Sequence, residues 1–338
     1  MFPCMQRLGS FFYSTAKGPA RSQPQVAIRL ARHGDYSAIM RISEGLSGTD
    51  YVPAKFHSFI DDPDVTVFVA EVEHQVVGFR ASKFTEGGQV YVGKAARVAP
   101  DWREQGIMNE LLFHQEAWIR QNRPTIKYMR VTALSNSPAA EYFHTRIRHI
   151  FSLPFVSYQC GPGLWWRQDP AQLAQLEPTG LPDVVPLQDA DDDFCTAVQK
   201  WLPAGACGGY DGKPIILVDW DPYNLCPANL KHLQKESTLF TLKHEGQFSL
   251  SIVTTYLAPC GRMLCVDVYA KDFPTLQKHL LKHLYDASLM YTSDQICMRV
   301  FSGVVELENS IHEFCRDVLN MDELHKPGLQ AVLFESEL

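Results

Sequence analysis

Short runs in which apolar and polar residues alternate are separated along this chain by longer stretches with an apolar residue every three or four positions. That is the pattern of strands interleaved with amphipathic helices. Val26 to Ala31 reads as a strand, and Asp35 can cap the helix after it, whose inner face carries Ile39, Ile42 and Leu46. Gly48 to Ile60 is a Pro-interrupted loop entering a second helix. Val65 to Val72 and Val76 to Phe84 form a predicted hairpin around His74-Gln75, and Gly87-Gly88 turns the chain into a long strand that ends at Pro100. A helix then opens at Gly106 or Ile107, with Ile107, Leu111, Leu112, Trp118 and Ile119 forming the stripe that packs on a sheet. Ile126 to Leu134 is a strand, Asn136 with Ser137-Pro138 starts a helix through about Arg146, and Phe151 to Tyr158 is expected to close the sheet.

The same order returns in the second half. Leu239 to Lys243 and Phe248 to Leu257 flank a Glu245-Gly246 turn, and Met263 to Tyr269 is a strand. Leu276 to Met290 is a helix, Ile296 to Phe301 a strand and Leu307 to Leu319 a helix. Residues 161 to 183, with Pro162, Pro170, Pro178 and Pro182, read as a linker. The organisation expected is a tail over 1–25, one domain over 26–160, the linker over 161–183 and a second domain over 184–338. The fold class is α/β (α+β), a mixed, mostly antiparallel sheet flanked by helices.

Composition narrows the function. The 338 residues are 46% hydrophobic and carry a net charge of -7, without the clustered Lys and Arg of a nucleic-acid surface. No apolar run reaches 18 residues, so no transmembrane helix is expected. Nine scattered cysteines with no C-x-x-C pair fit reduced thiols in a cytoplasmic compartment, and no metal site is expected. His279 and His283, four apart on a helix, read as an exposed face. The first 25 residues lack acids and carry Arg7, Lys17 and Arg21, a composition shared by mitochondrial presequences and disordered tails.

The candidate chemistry gathers at Ala95 to Leu112, AARVAPDWREQGIMNELL. A strand runs into Pro100, the chain turns, and a helix begins. Successive N–H groups at such a turn suit a phosphate or pyrophosphate, and Arg103 adds a full charge. The spacing Arg103-x-x-Gly106-x-Met108 resembles the R/Q-x-x-G-x-G/A signature of the GCN5-related N-acetyltransferases, with Met108 where that family has Gly or Ala. Together with GTDYVPAKFHSF and IILVDWDPYNLCPANLKHL, the turn is similar to the histidine N-acetyltransferase group over residues 26–338. That resemblance implies the acetyltransferase fold, with a second, degenerate half. At the equivalent turn of the second half, Ala270 to Pro274 lacks glycine and carries Asp272, so no coenzyme is expected there.

The resemblance implies acetyl-CoA as co-substrate. Amides of Arg103, Glu104, Gln105, Gly106, Ile107 and Met108 would take the pyrophosphate, and the backbone of Ala96, Arg97 and Val98 the pantetheine, with the Val98 amide as oxyanion donor. Asn136 corresponds to an asparagine that contacts coenzyme A in relatives, and equally reads as a helix cap. Phe143 stands where the family has the tyrosine that protonates the thiolate. Tyr142 is adjacent but about 100° away around the helix. Glu86 is the nearest candidate base, with Glu71 and His144 weaker ones. Asp50, Tyr51, His57, Trp220 and Tyr223 are the candidates for the substrate side.

An α-amine with a pKa of about 7.7–8.0 is far more often neutral at pH 7 than a lysine amine at about 10.4, so weak base equipment fits the former. The expected activity is acetyl transfer to a small amine, an amino acid such as histidine. Two alternatives stay open: an acyl-CoA-binding protein without turnover, and an acetyltransferase for protein N-termini or lysines. The partner expected is a small-molecule amine, with no nucleic acid and no membrane, and the oligomeric state is not legible.

Overall fold

A computed structural model describes residues 25–42, 48–187, 195 and 213–338. Leu46, Cys4, Cys207 and nearly all of the tail lie outside them. The N-terminal half runs β1 (Ala27–Leu30), α1 (Tyr36–Ile42), α2 (Val52–Asp61), β2 (Val65–Val72), β3 (Gln75–Thr85), β4 (Val90–Val98), α3 (Ile107–Asn122), β5 (Tyr128–Leu134), α4 (Pro138–His144) and β6 (Arg148–Cys160). A short helix, α5 (Trp165–Gln168), follows. The second half holds β7 (Val185–Pro186), β8 (Ile215–Val218), β9 (Asp221–Asn224), α6 (Pro227–Glu236), β10 (Thr238–His244), β11 (Gln247–Ala258) and β12 (Gly261–Tyr269). It ends with α7 (Phe273–Met290), β13 (Ile296–Ser302), α8 (Glu308–Glu313), β14 (Asp322–Glu323) and β15 (Gln330–Glu337).

The two halves share one sheet, ordered β1-β2-β3-β4-β5-β15-β6-β13-β12-β11-β10-β7, with β14 on the flank of β6. This corrects the expectation for Phe151 to Tyr158. The segment does not close the sheet: β15 lies between it and β5, antiparallel to both, and β13 pairs with it on the other side. β6 then serves both halves: Arg148–Pro154 pairs with β15, and Phe155–Cys160 pairs with β13. A buried ion pair fixes the insertion. Arg130 on β5 donates to Glu335 on β15 at 2.6 Å, and both side chains are essentially without solvent contact.

β3 has a different helix layer on each face. Phe79 and Ala81 pack with Ile39, Val52 and Phe56 under α1 and α2, whereas Val77 packs with Phe68, Ile107 and Leu111 under α3. β3 carries an extra residue at Val77, where its register with β2 shifts between Val76 and Gly78, which puts Val77 on the α3 face; past that bulge the alternation sends Phe79, Ala81 and Lys83 to the α2 face and Arg80 and Ser82 to the α3 face. β8 and β9 form a separate hairpin that packs Ile215 and Leu217 against Phe151, Phe155, Phe301 and Leu333 at the seam between the halves.

His279 and His283 correct a second expectation. They face inward, at 0% and 2% exposure, and share Ser251, whose hydroxyl lies 2.7 Å from each ring; Ser249 is 2.9 Å from His279. Their four-residue spacing puts them on one face, and here that face is the one packed on β11. Burial pushes His279 down to about 3 and His283 in the same direction. Below the ordinary value of 6.5 the unfolded chain binds protons that the folded one refuses, so stability falls with pH from there down to the folded value. Measured by urea unfolding, the wild type should lose about 2 kcal/mol relative to His279→Asn between pH 7 and pH 5. Equal losses in the two proteins would place the histidine outside the acid response.

Candidate functional site

β4 pairs with parallel β5 only from Val90 to Gly93, the last register being Gly93 with Val131. Immediately afterwards β4 bulges against β3: Lys94 pairs with Ala81 and Arg97 with Phe79, leaving Ala95 and Ala96 opposite Arg80. Ala95 takes a left-handed φ of 54°, a conformation found at bulges. The extra residue turns the strand away from β5, and a fork opens between them. The Ala99 N–H donates to Val77 O at 2.8 Å, so by alternation the Arg97 backbone also faces β3 while Ala96 and Val98 present N–H and C=O to the open edge. This corrects one expectation. The Arg97 main chain is used within the sheet, and its guanidinium forms a bidentate pair with Asp50 at 2.6 and 2.8 Å.

The chain leaves β4 through a short 3-10 turn, Pro100–Trp102, and reaches α3 with Glu104 at φ 62° and Gly106 at φ 82°. The Asn109 and Glu110 N–H groups both return to Gly106 O. Those of Ile107 and Met108, in the first turn, have no intrahelical acceptor. Their dipoles and Arg103 border an open concavity of about 240 Å³ lined by Val98, Trp102, Arg103, Glu104, Gly106 and Met108, among others. Met108 packs on the Ile107–Leu111 cluster beside Val98 and Trp102. The Arg103 Nε donates to Val98 O at 3.2 Å, and Gln105 closes the turn on Asp101 O. Asn136 is exposed at the end of β5, and the cap of α4 is Ser137, which accepts from Ala140 N.

Across the fork, α4 presents two adjacent rings in different directions. Phe143 packs beside Phe334 of β15 in a cluster with Val131 and Ala140. Tyr142 lies under the Arg146 guanidinium, 4.1 Å from ring to Cζ. Burial raises its hydroxyl pKa, and the charges of Arg146 and Arg80 oppose that shift. Tyr142 is thus the α4 residue within electrostatic reach of Arg80 and Glu116, while Phe143 faces the core. His144 is exposed and stacks edge-on to Phe334.

Glu86 is not a free base. It sits at the far end of β4, where its carboxylate accepts from Arg130 (3.0 Å), Asn224 N (2.8 Å), Asn229 Nδ2 (2.7 Å) and Cys226 Sγ (3.3 Å). Burial raises its pKa, with Arg130 working against that. With its lone pairs engaged, it ties the β3–β4 turn to the segment after β9. Glu71 is likewise engaged, by Arg29.

The substrate-side residues divide. Asp50 and Tyr51 come together at the seam, Tyr51 5.3 Å from the Lys94 ammonium. Tyr223 is buried there, 2.8 Å from Lys83 Nζ. Trp220 is a wedge between Phe155 and Phe301. His57 points outward and stacks on His33 and Tyr36, because Lys55, two residues earlier and roughly 200° away on the helix, takes the inward position.

Sequence reasoning missed the cluster around those residues. Lys55, Lys83 and Lys94 meet Asp219, Asp221 and Glu236: Lys55 to Asp219 is 2.8 Å, Lys94 to Asp221 2.6 Å and Lys83 to Glu236 2.5 Å. Burial works against the Glu236 charge, and the three lysines outweigh it, holding its pKa low. Lys83 and Lys94 inside otherwise apolar strands were the available signal. No group of three or more His, Cys, Asp or Glu side chains suited to a metal occurs among the described residues, and no helix there is long and apolar enough to cross a membrane.

A β4 bulge, a fork to β5 and a turn opening α3 define an acetyltransferase fold. Residues 36–147 match the acetyltransferase (GNAT) family, and this stretch is an N-acetyltransferase domain. The chain resembles the histidine N-acetyltransferase group: residues 212–302 match the family described as histidine N-acetyltransferase, C-terminal. It is 24% identical to the histidine N-acetyltransferase of Xenopus tropicalis over 91% of this chain and 94% of that one. It is 23% identical to "Probable N-acetyltransferase 16" of Homo sapiens over 96% and 89%. Among solved structures, a tandem GNAT protein from the clavulanic acid biosynthesis pathway superposes with a TM-score of 0.53 at 12% identity, covering 93% of this chain and 98% of that one. A GCN5-related N-acetyltransferase from Sphaerobacter thermophilus gives 0.53 at 11% identity, over 92% and 95%.

Glu86→Gln should lower stability by about 1.5–3 kcal/mol, the cost of weakening a charge-assisted network, and leave the pH profile of acetyl transfer where it was. A displaced acid limb would return Glu86 to the role of base.

Proposed function

We propose that this chain transfers acetyl from acetyl-CoA to the α-amine of a small molecule, an amino acid such as histidine. The observation that carries the reading is the open β4 edge: Ala96 and Val98 turn their amides away from β3 at the point where β5 departs. The pyrophosphate is assigned to the amides of residues 104–108 and to the Arg103 side chain; the Arg103 amide, expected among the donors, is instead taken by Pro100 O at 3.3 Å. Each charge-assisted bond there contributes about 1.5–3 kcal/mol, and the helix start adds up to about 2. The pantetheine adds to the β4 edge as a strand would, and the Val98 amide receives the carbonyl oxygen as charge develops on it. The coenzyme supplies the activated acetyl group; the protein orients it and manages protons.

Tyr142, held protonated by burial, is assigned as the proton donor to the departing sulfur, in place of Phe143. On the other side, the seam between the halves supplies the acceptor site. Asp50 and Tyr51 remain assigned to it, now with Lys55, Lys94, Asp219 and Asp221, a set of both charges suited to an amino acid's carboxylate and amine. The relatives named for histidine support that acceptor. Residues 26–160 and 184–338 are proposed as the two acetyltransferase-like units, with β15 lent back to the first.

Assayed by thiol release with acetyl-CoA and each of the twenty amino acids, the full chain should show saturable turnover with one or a few of them. Tyr142→Phe should lower kcat by about 10²-fold or more with little change in KM for the coenzyme. Tight coenzyme binding with no release for any amine would leave the non-catalytic binder as the reading.

A further inference from the structure

Arg80 is a buried cation whose charge has no direct partner. It is 4% exposed, and its Nε donates to Gln115 Oε1 at 2.6 Å. No carboxylate or other acceptor among the described residues hydrogen-bonds its two Nη groups. Its position is set by a missing side chain. A Cβ on Gly93 would come within 2.6 Å of Nη2 and 3.5 Å of Cζ, so the guanidinium lies over Gly93, the last β4 residue paired to β5 before the fork. It occupies the α3 face of β3, between Gln115 on α3 and the charge-coupled Tyr142 on α4.

Burying a guanidinium is costly unless it is paired and its N–H groups find acceptors. Other buried cations in this chain meet that requirement: Arg130 has Glu335 and Glu86, and Lys83 has Glu236 and Asp221. The Arg80 charge acts on Glu116, which accepts the Tyr91 hydroxyl at 3.3 Å and makes no ion pair with Arg80 among the described residues. Burial raises the Glu116 pKa, and Arg80 and Arg120 lower it. The Gln115 Nε2 is also buried without an acceptor. The two Nη groups of Arg80 and the Nε2 of Gln115 thus stand without an acceptor among the described residues, beside the fork.

We infer that Arg80 and Gln115 form an anion-binding subsite at the β4/β5 fork that receives the thiolate sulfur released from the coenzyme. The inference rests on the proposed function, since it assigns a place to the leaving group of that reaction. In the transfer the amine nitrogen bonds to the acetyl carbon and the carbon–sulfur bond breaks, its electron pair staying on sulfur. The amine's proton passes to solvent, and sulfur takes one from Tyr142, which solvent then reprotonates. The net change is amine plus thioester to amide plus thiol. Arg80 acts in the interval when sulfur carries charge. A thiol there is flanked by Arg80 on β3, Tyr91 on β4, Glu116 and Arg120 on α3, and Tyr142 and Arg146 on α4, so the cations outnumber the single carboxylate.

The test is an ultraviolet titration of the coenzyme A thiol, free and bound to the full chain, with Arg80→Met and Arg80→Lys alongside. Bound to the wild type, the thiol should ionise about one to three pH units below free coenzyme A, the size of a neighbouring opposite charge. The shift should vanish in R80M and return in part in R80K, while desulfo-coenzyme A, which lacks the sulfur, binds all three alike. A thiol that ionises in the bound wild type as it does in free solution overturns the subsite, whatever the variants do, and leaves the coenzyme assignment standing. A wild type that shows no coenzyme binding in calorimetry removes both.

Discussion

The structure depends on β4 being unable to follow β5. Through Gly93 the two strands are hydrogen-bonded neighbours; the bulge at Ala95 and Ala96 then spends one residue against β3 without advancing the register, and the rest of β4 turns away. An edge inside a sheet is ordinarily a liability, since its N–H and C=O groups lack partners. Here it has a defined length, from the bulge to Pro100, and beyond the turn the amides of Ile107 and Met108 are also without an intrahelical acceptor. A ligand that is extended at one end and anionic at the other satisfies both sets of groups at once.

The second half acts on this site from its seam with the first. β15 separates β5 from β6, and its Phe334 backs Phe143, so the chain's own end helps fix the rotation of α4 and with it the direction of Tyr142. The β8–β9 hairpin brings Asp219 and Asp221 to lysines that would otherwise be stranded within β3, β4 and α2. Buried ion pairs of this kind add little net stability against well-packed apolar residues; their effect is on fit, because Lys55, Lys83 and Lys94 are satisfied only when the halves dock in one register.

Much of this was legible in the sequence. Apolar alternation located most of the strands of the first half, and Gly106 marked the start of α3, since only a residue tolerant of positive φ sits easily before that helix. The turn's family resemblance followed from spacing alone. What was not legible has a common cause. Phe151–Tyr158 was expected to close the sheet, and nothing local announces a strand arriving from residue 330 that puts it in the interior. Glu86 looked free because its partners Asn224, Cys226 and Asn229 are some 140 positions away. His279 and His283 were placed on the outside because periodicity gives a shared face without saying what covers it. The choice between Phe143 and Tyr142 turned on Phe334, again from the far end of the chain.

The faces of β3 explain why one site can hold two incompatible charges. Arg80 and Lys83 are three residues apart, so they project to opposite sides of the strand. On the α3 side lie the phosphate-type turn, Arg80 and the approach to Tyr142; on the α2 side lie Lys83, Lys94, Asp221 and the Asp50–Arg97 pair. A leaving thiolate is stabilised by surrounding positive charge, whereas an amine that arrives as an ammonium is held by carboxylates until its proton leaves. Separation by the sheet lets the two requirements be met independently, with the fork as the one place where the faces communicate. In the proposed reaction the acetyl carbon would sit at that edge, with the residues on either side of it answering to different partners.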